Sequence, residues 1–210
     1  DALCGFDGAA CAVQRAGTRT AEKKRATKET SIDIAVDLDP APGSAPGEIS
    51  TGVATLDGML RELQAHSEVS LRANCKGDLY IDDHHSAEDV MITVGKVLAE
   101  AFGDKGGFTR MGCAEGCSGD ARVLCVMDLS NRPSLCHTLR LQARGEEMAG
   151  DLSVEMVQHC FESLCANALI TVHLEQVDGG GAGKEAGVVD IATAAMRAFG
   201  AALKQGVAID

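Results

Sequence analysis

Two octets in this chain sit at matching places in two successive runs of predicted structure. Leu56-Asp57-Gly58-Met59-Leu60-Arg61-Glu62-Leu63 lines up with Val157-Gln158-His159-Cys160-Phe161-Glu162-Ser163-Leu164. Each is followed by a strand pattern, a loop, and a helix opening on an acid, Glu88 or Glu185. A unit repeated in this way predicts two α/β halves packed as one domain. The spacing puts the halves at about 27–112 and about 121–205, inside a domain of about 21–210 that follows an arm of about 1–20.

The local patterns fill in these units. SIDIAVDLD alternates like a strand, PAPGSAPG is a loop, and Val53, Leu56, Leu60 and Leu63 mark an amphipathic helix. VSLRANC, GDLYI, RVLCVMDLS, CHTLRLQAR and LITVHLEQV read as strands. AEDVMITVGKVLAEAFG, VEMVQHCFESLCANAL and EAGVVDIATAAMRAFGAALKQ read as helices. The six basic residues within 12–28 have no apolar period and suggest a solvated arm.

Composition removes several classes of function. The 210 residues carry a net charge of -12, and only 3% are aromatic. Nucleic acid demands a basic face and stacking surfaces, so it is excluded as a partner. No apolar run approaches the roughly 18 residues of a membrane-spanning helix. Nine cysteines, an odd number at scattered spacings, make no disulfide framework and imply a reducing, intracellular setting. Cys113 and Cys117 lack a second pair that would complete a zinc site. The chain begins with Asp1, which raises a removed targeting segment and a plastid or mitochondrial interior as an alternative to the cytoplasm.

Two stretches bear on chemistry. In DGGGAGKEA, a phosphate loop would need glycine where Asp178 stands and Ser or Thr where Glu185 stands, so it fails as a P-loop. In Asp82-Asp83-His84-His85-Ser86-Ala87-Glu88-Asp89, an imidazole and Glu88 fall three or four residues apart on one helical face. Two imidazoles and a carboxylate suit Mn, Fe or Zn, with the neighbouring acids orienting the rings. His66, His137 and His173 read as structural or solvated, and the methionines as core filler.

With these residues in view the chain resembles imidazoleglycerol-phosphate dehydratase. The resemblance rests on Arg25-Ala-Thr-Lys-Glu29-Thr, Ile49-Ser-Thr-Gly, Leu56-Asp-Gly-Met-Leu and Lys76 through Asp89. It continues through Thr109-Arg-Met-Gly112, Asp128-Leu-Ser-Asn-Arg-Pro133, Gly150-Asp-Leu-Ser-Val-Glu-Met and Gln158-His159. It implies a ribosomal protein S5 domain 2-like fold of two sheet-plus-two-helix halves, assembled into a cubic 24-subunit shell. It also implies removal of water from imidazole glycerol phosphate, in histidine biosynthesis, at a pair of manganese ions. By the same resemblance Glu29 is the acid/base, and His84, His85, Glu88, His159 and Glu185 are metal ligands. Arg110 and Arg132 grip the phosphate.

The departures from the family pattern concern metal and phosphate. A ligand histidine is replaced at Gly58, and anchoring on Glu185 puts two more replacements at Gly181 and Ala182. Val188-Val189 stands where the family has Phe-Lys, Glu62 replaces a substrate-facing Gln, and Ser118-Gly119-Asp120 replaces Met-Asp-Glu. A new negative charge at Glu62 opposes an anionic substrate. The expectation is a catalytically silent homologue, a structural or regulatory subunit with no manganese or one partial site. It would self-assemble or co-assemble with other subunits, with imidazole glycerol phosphate as candidate ligand. The alternatives are an active dehydratase with a reduced or rearranged manganese site, and a single-metal binding module.

Overall fold

The computed structural model describes residues 18–26, 30–77, 84–177 and 185–210. The first sheet contains β1 (Thr20–Ala26), β2 (Thr30–Asp37), β3 (Ile49–Ser50) and β4 (Ser70–Gly77), in the order β1-β2-β4-β3. The second contains β5 (Met111–Ser118), β6 (Ala121–Asp128), β7 (Ser134–His137) and β10 (Thr171–Gln176), in the order β5-β6-β10-β7. In both, the first three strands pair antiparallel and the fourth joins in parallel. β2 and β6 share one alternation of buried and part-exposed positions, because each turns a single apolar face to the helices. A small hairpin, β8 (Met148–Ala149) with β9 (Leu152–Ser153), precedes the third helix.

Four helices complete the two halves: α1 (Ala54–Ser67), α2 (His84–Phe102), α3 (Val154–Ala168) and α4 (Val188–Gly206). α2 lies on the first sheet and packs against α3, while α4 lies on the second and packs against α1. The halves therefore exchange helix contacts, and one continuous core runs from Ile34 and Leu60 to Phe161 and Phe199. Gly95 of α2 lies where a Cβ would stand 2.7 Å from the Leu164 carbonyl oxygen. Gly200 of α4 lies where a Cβ would stand 2.9 Å from the Leu63 carbonyl oxygen. No side chain fits at either crossing, so the backbones approach directly. α1 and α3 also end alike, on left-handed residues Glu68 (φ 59°) and Leu169 (φ 56°).

Polar contacts fix the same junction. Val53, which precedes α1, offers no side-chain cap, and Asp151 of the second half supplies one. Its carboxylate accepts from the amides of Ala54 at 2.6 Å and Thr55 at 2.8 Å. These are among the donors that a helix start leaves unsatisfied. On the other face, Arg197 of α4 donates two bonds to Glu62 of α1, at 2.9 and 2.8 Å.

Several expectations change. The basic stretch is not all solvated arm, because Thr20–Ala26 pairs along the whole of β2 as an edge strand. Its charged side chains face solvent, as edge strands need. CHTLRLQAR stops being strand after His137, since β7 pairs with β10 only to that point and the chain then turns. α4 starts at Val188, so Glu185 precedes the helix. Met111 and Met148 are about half exposed rather than core filler. GDLYI lies mainly outside the described residues. Among the described residues no helix is long and apolar enough to cross a membrane.

Three substitutions have definite stability outcomes. Asp151→Ala should cost about 1 kcal/mol in urea unfolding at neutral pH. Burial raises the Asp151 pKa, but the amides of Thr55 and Ala54 outweigh it and hold the carboxyl below its ordinary value. The deficit of the variant should then be full above about pH 4, the unfolded carboxyl range, and close as pH falls through the folded value. A Cβ at Gly58 on α1 meets no atom within 4 Å. Gly58→Ala should therefore raise stability by roughly 0.5–1 kcal/mol in thermal melts, whereas Gly95→Ala should lower it.

Candidate metal centre

α2 begins with the two histidines, and its first turn is fixed from below. Asp89 pairs with Arg25 of β1 and accepts from the Thr30 hydroxyl of β2 at 2.9 Å. Thr93 closes the turn by donating to the Asp89 carbonyl at 2.7 Å. This network ties the end of β1 and the start of β2 to the first turn of α2, where Asp89 follows Glu88.

α3 runs alongside α2 and brings in a second imidazole. His159 Nε2 lies 3.2 Å from Glu88 Oε1, and the His84 and His159 ring centres are 5.4 Å apart. Donor atoms from His84, Glu88 and His159 all lie within 4.8 Å of one another. His159 Nδ1 is 3.4 Å from Glu162 Oε2, and Glu162 Oε1 accepts from Gln158 at 2.7 Å. A proton on Nδ1 shared with Glu162 leaves the Nε2 lone pair pointing at the cluster. That Nε2 is buried and makes no hydrogen bond, because Glu88 is within ion-pair reach but poorly aligned with the ring. A buried nitrogen without a hydrogen bond, beside a carboxylate and a second imidazole, fits a divalent cation such as manganese.

An open cavity of about 670 Å³ adjoins the cluster. His84 and His159 form part of its wall with His137, Arg140, Gln142 and Glu155. His137 was expected to be solvated or satisfied; its Nδ1 accepts from the Leu139 amide at 3.3 Å while the ring borders this cavity. Arg140 is a residue that sequence patterning missed. It lies in a stretch read as strand, where nothing in the alternation distinguishes it.

The remaining expected residues distribute unevenly. His85 is exposed on the first turn of α2, its ring centre 6.4 Å from that of His84 but outside the three-residue donor group. Glu185 is exposed ahead of α4 and also outside that group. Glu29, Gly181 and Ala182 lie outside the described residues. Arg110, at the entry to β5, is held bidentately by Asp128 at 2.7 and 3.1 Å. That hydrogen-bonded pairing raises its pKa further above an already high value. Arg132 follows β6, and its carbonyl accepts from the Thr171 hydroxyl at 2.6 Å. Neither arginine borders the cavity. Glu62 is not the unbalanced negative charge expected, because the hydrogen bonds from Arg197 neutralise it and lower its pKa. Cys113 and Cys117 are exposed on β5 and join no metal group among the described residues. Burial pushes the Cys75 thiol up to about 11 and that of Cys125 up to about 12.

Comparison with known proteins agrees with this geometry. The family model described as imidazoleglycerol-phosphate dehydratase matches residues 51–203. The dehydratase of Halorhodospira halophila is 38% identical over 192 residues, covering 91% of each chain. That of Cereibacter sphaeroides is 40% identical over 161 residues, 77% of this chain and 80% of the relative. The crystal structure of the Staphylococcus aureus dehydratase superposes with a TM-score of 0.74 at 29% identity, over 91% of this chain and 99% of that one. The Pyrococcus furiosus enzyme gives a TM-score of 0.71 at 28% identity, over 90% and 94%. With the duplicated sheets, the paired helices and the histidine–carboxylate cluster all in place, this chain belongs to the imidazoleglycerol-phosphate dehydratase family.

Proposed function

We propose that the chain is a working dehydratase of imidazole glycerol phosphate, serving histidine biosynthesis with a reduced manganese centre. The observation that carries the reading is the convergence of His84, Glu88 and His159, with Nε2 of His159 buried and lacking a hydrogen bond. A cluster kept only as a helix cap would have no reason to hold a nitrogen in that state. The names of the relatives at 38% and 40% identity support the same reading.

In this reading the roles follow from chemistry. When bound, the ion supplies Lewis acidity to a ring nitrogen of the substrate, which makes the ring an electron sink for the side-chain carbon. Glu29 takes the proton from that carbon and returns one to the departing hydroxyl, the work of a single carboxyl near neutral pH. Arg110 and Arg132 offer guanidinium groups to the phosphate, and Arg110 must then exchange Asp128 for the substrate. Glu162 orients His159 through Nδ1. Self-assembly of the chain belongs to the same proposal and rests on the family resemblance alone.

A second reading, a silent structural subunit, is favoured by the absence of a donor at Gly58, the equivalent of His159 in the repeat. Turnover decides between them. Incubation with manganese and imidazole glycerol phosphate should yield imidazole acetol phosphate, and a chelator should stop it. Manganese bound without any product would leave the silent subunit standing. Glu162→Gln should weaken manganese binding by about 10- to 100-fold while leaving the fold intact by circular dichroism.

A further inference from the structure

The two glycine crossings fix the register of the duplication more tightly than sequence anchoring does. Gly95 meets Leu164, Asn167 and Ala168, and Gly200 meets Leu63, His66 and Ser67. These contacts pair Gly95 with Gly200, and Leu63 with Leu164. Burial follows the same register along the helices. Ala87, Val90, Met91, Val94 and Leu98 of α2 correspond to Ala192, Ala195, Met196, Phe199 and Leu203 of α4, all buried. Leu56, Met59, Leu60 and Leu63 of α1 correspond to Val157, Cys160, Phe161 and Leu164 of α3, again all buried.

Carried to the helix starts, this register gives the twin of the metal cluster. His84 corresponds to Val189, His85 to Asp190, Glu88 to Thr193 and His159 to Gly58. The missing imidazoles of the second half thus belong at the first turn of α4 rather than at Gly181 and Ala182. At the twin place a valine, a threonine and a glycine replace two imidazoles and a carboxylate. Its one acid, Asp190, accepts from the Ser118 hydroxyl at 2.8 Å. The helix pair carries something its counterpart lacks, the bidentate Arg197–Glu62 pairing. The matching residues in the first pair are Ile92 and Ser163, which cannot form an ion pair. Arg197 also donates to the Cys117 carbonyl at 2.7 Å, which ties α4 to β5.

We propose that the chain holds one metal ion per polypeptide, at His84, Glu88 and His159, and that its twin place is an ion-paired joint that takes none. This goes beyond the proposed activity, because it concerns how many ions bind and where, whether or not turnover occurs.

Counting ions tests it. Metal-free protein equilibrated with manganese alone and assayed by elemental analysis and calorimetry should bind one equivalent per chain. His159→Ala should bind none at the same free manganese. The combined Gly58→His, Val189→His and Thr193→Glu substitutions should bring binding to two equivalents. There is room for them, since a Cβ at Gly58 meets nothing within 4 Å and Val189 is 46% exposed. Two equivalents or none in the unaltered chain would overturn the proposal. So would a second equivalent that appears with Gly181→His and Ala182→His but not with the triple change. The unaltered chain and His159→Ala carry no change at the twin place, so they decide the stoichiometry even if the triple variant does not fold. Loss of turnover with one equivalent bound would count against the proposed activity alone.

Discussion

Everything in this molecule is arranged around two places where helix backbones touch. At Gly95 and at Gly200 a missing side chain lets a helix of one half lie directly on a helix of the other. This close approach excludes water along the seam, and the apolar rows beside it merge into a single core. It also fixes how far each helix can slide. On the α2–α3 side, that constraint sets Glu88 beside His159. The histidine–carboxylate cluster is a product of helix packing rather than of loop geometry.

The same constraint yields different chemistry in the two halves. Where α2 meets α3, the seam ends in imidazoles and a carboxylate, with the His159 Nε2 buried and without a hydrogen bond. Where α1 meets α4, it ends in a guanidinium and a carboxylate that satisfy each other. Both charges stay partly exposed, so the bidentate geometry gives orientation more than net stability. One fold thus carries a place that asks for a ligand and a place that has supplied its own.

Much of this was legible in the sequence. The matched octets revealed the duplication because α1 and α3 must present the same apolar stripe to matching partners. The His84–Glu88 spacing revealed the part of the cluster that α2 supplies, since three or four residues suffice to align donors on one face. His159 was reached only through resemblance, because no local pattern places a residue of α3 beside the start of α2. Edge strand β1 was missed because its outward side chains are charged and show no apolar alternation. The charge at Glu62 was misjudged for the same reason of distance, with its partner 135 residues away. Glu185 misled as an anchor because an acid just ahead of a helix looks like the acid inside the first turn, and only packing separates them.

The cap on α1 has a consequence for how the chain comes together. Its two amides wait for a carboxylate that is 97 and 96 residues further along. Closing so long a loop costs chain entropy before any contact rewards it. The cap on the first helix can therefore close only when the opposite half is in place beside it. The first repeat, although it has its own sheet, does not carry the cap that its first helix uses.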